Sequence, residues 1–466
     1  MHLVGGQMHS GTKRVSKQYR LLAAVLLSIL SVIPRSWAQG LESTLLPLPD
    51  PSTIGFFGAS VSLSEDGQRA IAGAPTFSPK AYIFVRSGGG WVLEARLTDG
   101  SVFGSFGSAV ALSADGTVAL VTDLDEICSN SPYSCGAVYV YVRTDGVWTQ
   151  KAHLARPLLR DFEFDFGRAL ALSADGSTVL VGRPADDCIQ QLCRGVVFVY
   201  ERTGDSWDLV DMLRASNPSV QKLGSAISLS PDGSTALIGA PRFSCVTGSI
   251  CGEAYVFTRS GGSWSEQARL TAFDAASEGF FGSSVGLSAD GQTALIGSPS
   301  NDFDPQGPGS VYAFVRSGNA WIGTQKITGG SGEGFGRSLG LAAGGRSALL
   351  GAPFTDCAAG ADCGAVYRIV RGPSGLWSSP QPLASFPAGA QGGSAVALSG
   401  DGSVGLAGAQ GTFCPTGGPL SCGAVHVFSG LLATLDIPTL GGPGLAVLTI
   451  ALILSALILL QRRRSI

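Results

Sequence analysis

Charge is scarce in this chain. Asp, Glu, Lys and Arg make up 14% of its 466 residues, against roughly a quarter in ordinary soluble domains. Met and His are rarer still, at 3 and 4 residues, so His-based metal sites have little to draw on. A basic surplus is absent as well: the formal net charge is -3. Nucleic acid, whose phosphates require a basic face, is therefore not an expected partner. What is abundant is Gly, at 66 residues. Gly with Val, Ser, Ala and few charges predicts many short strands and tight turns in place of helices.

The positive charges that exist are concentrated at the ends. Residues 1–38 hold five Lys/Arg and no acid, and Arg462, Arg463 and Arg464 stand at the other end. Setting those eight aside takes the -3 of the whole chain to -11 for the middle. Lys13, Arg14, Lys17 and Arg20 precede the apolar run "LLAAVLLSILSVI", and "SWAQG" follows. That order reads as a secretory signal over 1–38 cut between Ala38 and Gln39. From Ile437 to Gln461 there is no charged residue, and "RRR" follows at once. Such a run is long enough to cross a bilayer as a helix, with its Arg tail in the cytoplasm and the body outside.

Between the ends one unit recurs. "FGSAVALSADG" begins at Phe106, and relatives begin near positions 57, 166, 223, 281, 335 and 392. A Gly always closes the turn about ten residues on, as Gly67, Gly116, Gly176, Gly233, Gly291, Gly345 and Gly402 show. A Gly-Ala-Pro or a relative then follows, although the second copy has Thr122-Asp123 in its place. An aromatic strand closing on Arg comes next, then Trp five residues later, as in Arg86 with Trp91 and Arg143 with Trp148. Each unit thus reads as four short strands, here lettered A to D, with Gly supplying the hairpin turns. One such sheet cannot bury both faces alone, but seven arranged radially can. The predicted fold is all-β: a seven-bladed propeller of four-stranded antiparallel blades over 39–436. It is flanked by an N-terminal signal helix and, over 437–466, a C-terminal transmembrane segment. The seventh unit lacks its own Arg-to-Trp turn. Its fourth strand comes either from "LESTLLPLP" at the mature N-terminus, the favoured reading, or from "LLATLD" after strand C.

Seven copies of the unit, five opening on Phe-Gly and most running on in register to Gly-Ala-Pro or a relative, resemble the FG-GAP repeat family, best known from the integrin α-chain propeller. Many members of that family carry a calcium loop between strands A and B. Here Ser62, Ser64 and Ala70 stand at the aligned positions beside Asp66. Calcium needs several hard oxygen ligands, so neither calcium nor another cofactor is expected. At the C-terminus, Ile437, Pro438, Thr439 and Leu440, an apolar run and Arg462–Arg464 resemble the IPTL-type sorting signal of bacterial envelope proteins. That resemblance implies a membrane sorting enzyme as a partner, and placement in the cell envelope or at the cell surface.

The ten cysteines fall in local pairs: Cys128 with Cys135, Cys188 with Cys193, Cys245 with Cys251, Cys357 with Cys363 and Cys414 with Cys422. In an exported chain these predict five disulfides bracketing B–C loops. Zinc is the rival, but the spacings are irregular and none is Cys-x-x-Cys.

Strand parity places the A–B and C–D turns on one face and the B–C and D–A connections on the other. The second face has loops of varied length, where binding residues gather. Its acids are the candidate ligand face: Asp123, Asp125, Glu126, Asp161, Glu163, Asp165, Asp186, Asp187, Asp302, Asp304 and Asp356. With no catalytic motif in view, the expected function is a non-catalytic, surface-displayed module. It would bind an extracellular protein or glycan through that face. The alternatives are a propeller hydrolase acting on glycans and a purely structural surface component.

Overall fold

A computed structural model describes residues 42–45, 55–76, 78–101, 104–127, 134–155, 165–185, 188–189, 192–243, 251–274, 279–299, 308–414 and 421–431. The signal segment, the apolar C-terminal run and the sorting motif lie outside these residues. Two compact units are distinguished, Met1–Glu42 and Ser43–Ile466. Of the first, only Glu42 is among the described residues.

Seven four-stranded antiparallel sheets follow one another along the chain, as the repeat predicts. Blade 1 runs A Ser60–Leu63, B Arg69–Ala74, C Lys80–Ser87 and D Gly90–Leu97. Blade 2 is Val110–Leu112, Val118–Asp123, Ala137–Thr144 and Val147–Ala155. Blades 3 to 6 have their A strands at Leu170–Leu172, Ala226–Leu229, Ser284–Leu287 and Ser338–Leu341. In blade 7 the chain supplies Gly392–Leu398, Val404–Ala409 and Val425–Ser429, and the fourth strand is Glu42–Leu45. The seventh sheet is therefore completed from the N-terminal side.

The core is shared between blades. Seven apolar clusters fill the seven junctions, each drawing on two neighbouring blades. Strand period explains how. In strand B of blade 1, Ala70 and Ala72 join the cluster with blade 7, while Ile71 joins the cluster with blade 2. Alternate side chains point to opposite faces, so a strand with two covered faces must be apolar throughout.

The repeat motif itself is a junction. The carbonyl of each Phe-Gly glycine lies over the Gly-Ala-Pro glycine of the preceding blade. A Cβ on Gly73 would stand 1.9 Å from the Gly107 oxygen, and one on Gly239 1.9 Å from the Gly282 oxygen. In blade 2, Thr122 takes the glycine's place, and its hydroxyl donates to the Gly167 carbonyl at 2.9 Å. The Phe rings fill the same junctions: Phe57, Phe106, Phe166, Phe281 and Phe335 are all nearly inaccessible. The seventh copy has Gly392 where Phe is expected. There the Phe386 ring occupies the slot, 1.9 Å from where a Gly392 Cβ would lie.

The A–B turns carry a second repeated device. In blade 2 the Ser113 hydroxyl donates to Asp115 at 2.6 Å and accepts from the Val118 N–H at 2.9 Å. Asp115 in turn accepts from the Thr117 N–H at 2.9 Å. These hydrogen bonds to the ionised form hold the Asp115 carboxyl below its usual range, against the opposing effect of burial. The turn aspartates are thus spent on the hairpin.

Around the axis these turns are stitched into a belt. Glu65 N–H donates to the Ala114 carbonyl, Ala114 to Ala174 and Ala174 to Pro231. Ala289 donates to Ala343, Ala343 to Gly400 and Gly400 back to Glu65. The belt has one gap, between blades 4 and 5, because Pro231 has no N–H to give to blade 5. Beside the belt an axial cavity of about 310 Å³ is lined by strand A of every blade. One Leu comes from each: Leu63, Leu112, Leu172, Leu229, Leu287, Leu341 and Leu398.

At the rim, each C-strand Arg sits opposite the D-strand Trp, as with Arg143 and Trp148. Strand D also carries a bulge, and the bulged residue reaches the next blade. Glu94 of blade 1 accepts from the Trp148 indole N–H at 3.0 Å, and Gln267 of blade 4 from that of Trp321 at 3.0 Å. In blade 3 the bulged residue is Val210, which has no acceptor, and the Trp264 indole nitrogen of blade 4 is buried without a partner.

Two stability predictions follow from these contacts. Val210→Gln gives Trp264 its acceptor and raises unfolding free energy by about 1 kcal/mol, measured by urea titration. Gly239→Ala, whose Cβ has a backbone oxygen in its way, costs about 3 kcal/mol. The control is Gly344→Ala, which meets nothing within 4 Å and leaves the midpoint nearly unchanged.

Candidate functional site

The one place where the Gly-Ala-Pro motif gives way entirely is also where carboxylates converge. Asp123 ends strand B of blade 2, Asp99 sits on the connection from blade 1, and Glu126 lies on the following B–C loop. One carboxylate oxygen from each lies within 4.8 Å of the others. In other blades the position of Asp123 is held by residues such as Ala74, Ala240 and Ala352.

Each acid is fixed by backbone donors. Asp123 Oδ1 accepts from the N–H groups of Ser105 at 3.1 Å and Asp125 at 2.9 Å. Asp99 accepts from the Ser101 N–H at 2.9 Å and the Ser101 hydroxyl at 2.7 Å. The Glu126 backbone carbonyl accepts from the Cys135 N–H at 2.8 Å. Cys135 is disulfide-bonded, so a covalent link braces the loop that carries Glu126.

Two further side chains complete the group. The Tyr139 hydroxyl, from strand C, donates to Glu126 at 3.0 Å. His153, from strand D, has its Nε2 3.8 Å from Glu126 and its ring 4.9 Å from that of Tyr139. Burial and the neighbouring carboxylates push the Tyr139 phenol well above its ordinary value, so it remains a hydrogen-bond donor.

Asp123 is 3% exposed. Burial raises its carboxyl to about 6; the Asp125 N–H opposes that, and a shared hydrogen bond with Asp99 adds to it. Asp123 therefore keeps its proton into mildly acidic pH, hydrogen-bonded to the Asp99 carboxyl group. The same three hard oxygens could instead take a divalent cation, although they supply only half of a six-ligand shell.

The other sequence candidates are dispersed. Asp125 adjoins the cluster and accepts from the Ser105 hydroxyl. Asp165 lies at the entrance to strand A of blade 3 with φ 73°. Asp356 accepts from the Asp362 N–H at 3.1 Å within its own loop. Asp161, Glu163, Asp186, Asp187, Asp302 and Asp304 lie outside the described residues. The disulfides Cys188–Cys193, Cys357–Cys363 and Cys414–Cys422 are formed as paired in the sequence. Cys251 is disulfide-bonded too, while Cys128 and Cys245 lie outside the described residues. Asp99, Tyr139 and His153 were not among the sequence candidates. The visible signal was Thr122-Asp123 in place of Gly-Ala, but nothing local ties those residues to a connection, a C strand and a D strand.

Comparison with known proteins can be set against this geometry. Residues 264–314 match the FG-GAP repeat family. The match spans one repeat, from strand D of blade 4 into strand C of blade 5. No curated protein matches the chain. Among solved structures it is similar to a periplasmic gluconolactonase of Pseudomonas aeruginosa, at 16% identity and a TM-score of 0.48 over 71% of this chain and 85% of that one. It is also similar to a proposed 6-phosphogluconolactonase of Bacteroides uniformis, at 13% identity and a TM-score of 0.48 over 70% of this chain and 87% of that one. Both are described as enzymes, which runs against the expectation of a non-catalytic module, although a likeness at this level carries no activity over to this chain. Asp123 and Glu126 lie three residues apart, but Asp99 comes from the connection after blade 1, and only the fold brings it to them.

The Asp123 carboxyl has a definite sign for stability. Its folded value lies above the unfolded one near 3.8, so the folded state holds the proton more tightly between about pH 4 and 6. Stability falls across that window as pH rises, and the ionised pair costs about 2–3 kcal/mol above it. Asp123→Asn keeps the acceptor oxygen and offers Asp99 an N–H. It should therefore unfold later than the wild type at pH 8 and show a flatter pH profile between 4 and 6 in thermal denaturation.

Proposed function

We propose that this propeller is a hydrolase whose acid–base centre is the Asp99–Asp123–Glu126 cluster, acting on glycan substrates outside the cytoplasm. The observation that carries the reading is a buried carboxyl, Asp123, that retains its proton near pH 6 beside a second carboxylate. Hydrolysis of a glycosidic bond needs one carboxylic acid to protonate the leaving oxygen and one carboxylate to act at the anomeric carbon. Asp123 supplies the proton. Glu126 is held by the Tyr139 hydroxyl and acts as the partner carboxylate. Their oxygens lie within 4.8 Å of one another, close to the roughly 5 Å separation at which the second carboxylate attacks the anomeric carbon directly and water then releases the sugar from the glycosyl-enzyme. Burial keeps Asp123 protonated, and its hydrogen bond with Asp99 adds to that.

The N-terminal signal and the C-terminal sorting motif support export, with the tail read by a membrane sorting enzyme and the propeller held in the envelope or at the surface. No nucleic-acid partner enters this reading.

The test is release of reducing ends from a panel of neutral and acidic oligosaccharides between pH 4 and 8. Activity should peak near pH 5–6 and fall above it as Asp123 loses its proton. Asp123→Asn and Glu126→Gln should each lower kcat by about 10²–10⁴-fold, although Asp123→Asn is the more stable protein. Variant activities within twofold of wild type would remove the cluster from the chemistry.

A further inference from the structure

The axial cavity lies inside the A–B turns, on the face opposite the acidic cluster. Its volume is about 310 Å³, at the small end of the range for ligand pockets. Strand A is the edge strand of each blade, and the inner edges of the A strands form the wall. That wall is therefore backbone as well as side chain. In blade 1 the Ser64 N–H donates to the Arg69 carbonyl at 2.9 Å, towards strand B. Alternate residues of an antiparallel strand turn their backbone groups the other way. The N–H and carbonyl of Leu63, and of its equivalent in each blade, are thus directed to the axis.

Two of those N–H groups are met by side chains. Leu112 N–H donates to the Ser62 hydroxyl oxygen of blade 1 at 3.1 Å, and Leu287 N–H to that of Ser228 of blade 4 at 3.1 Å. In the other blades Ala111, Ala171, Gly286, Gly340 and Ala397 stand in place of that serine. The N–H groups of Leu63, Leu172, Leu229, Leu341 and Leu398 therefore have no hydroxyl to meet. Ser62 and Ser228 both line the cavity, and their own protons go to no acceptor among the described residues. On the acceptor side stand the Leu carbonyls and that of Ala289, to which Pro231 has no belt N–H to give. Groups left open along an inner strand edge need partners of the same kind as a sheet neighbour supplies, donors and acceptors together.

Glu65 is the only charged residue among those lining the well. Its side chain lies across Gly400, where an added Cβ would stand 2.3 Å from the Glu65 Cγ. These groups select a ligand by elimination. The carboxylate at the mouth repels an anion. An ammonium only donates, and would leave the N–H groups and the serine protons unmet. A hydroxyl both donates and accepts. We infer that the axial well binds a small neutral polyol, about the size of a monosaccharide. The inference does not depend on the acidic cluster of blade 2 being catalytic, and its variants lie on the other face of the ring.

The test is saturation-transfer NMR of the exported protein with D-glucose as the probe, repeated with glucuronate and with glucosamine. Glucose should bind saturably, and glucuronate at least fivefold more weakly. In the double variant Ser62→Ala with Ser228→Ala, glucose affinity should fall at least fivefold. That variant should fold, since Ala stands at the same position in blades 2, 3 and 7, and a cooperative thermal transition checks it. Glu65→Ala installs the residue found there in blades 2, 3, 5 and 6, and should bring glucuronate to within twofold of glucose. Glucosamine bound more tightly than glucose would point to a cationic ligand and overturn the neutral one. Absence of saturable glucose binding, or equal binding in wild type and the double serine variant, overturns the site.

Discussion

Every junction in this ring depends on one close approach, a backbone carbonyl of one blade seated over the α-carbon of the blade before it. The approach leaves no space for a side chain at Gly73, Gly182, Gly239, Gly297, Gly351 or Gly408. It sets the distance between sheets, and the distance sets what else can fill the junction. A Phe ring closes the loop-face end, and small and branched side chains of strands B and C fill the middle. Burying one such ring is worth about 2–3 kcal/mol, but only if the sheets stand at the spacing the glycine permits. The two halves of the motif are therefore a single contact written in two places about forty residues apart in most blades.

That contact also explains where chemistry can arise. Blade 2 gave up its glycine, and Thr122 restored the junction with a hydroxyl bond to Gly167. With the junction held in this way, the next position, an alanine in several other blades, could become Asp123. The acid is buried there because the junction is buried, and it keeps a proton because it is buried beside another carboxylate. Burial and scaffold are thus coupled: the placement that lets Asp123 keep its proton at mild pH also makes it a liability when it ionises.

Much of the fold was legible because it repeats. Seven copies of a strand and turn, the Asp-Gly hairpins and the Arg-to-Trp register all translate directly into blades, and local cysteine spacing gave the disulfides at 188–193, 357–363 and 414–422. The repeat even exposed its own exceptions, Thr122-Asp123 and Gly392. It could not show that Phe386 covers for the missing Phe at Gly392, because that ring comes from the previous blade's connection. Nor could it join Asp99 to Asp123 and Glu126. Those groupings depend on which loops meet across blade boundaries. The repeat period fixes the order of the blades but says nothing of the side chains at their ends.

The hydrogen-bonded belt around the axis has a further meaning for how the ring is joined. The first and last described strands pair in blade 7, yet the belt crosses from blade 7 to blade 1 intact, through Gly400 and Glu65. Its gap is on the far side, at Pro231. The covalent seam and the non-covalent seam are thus offset by nearly half a revolution. A pull on the termini loads a stretch of ring where the inner belt is continuous. New ends cut into the connection between blades 4 and 5 would fall where no belt bond crosses. Circular permutation at that point joins the two seams into one, and it turns a ring that resists opening at its ends into one that opens there first.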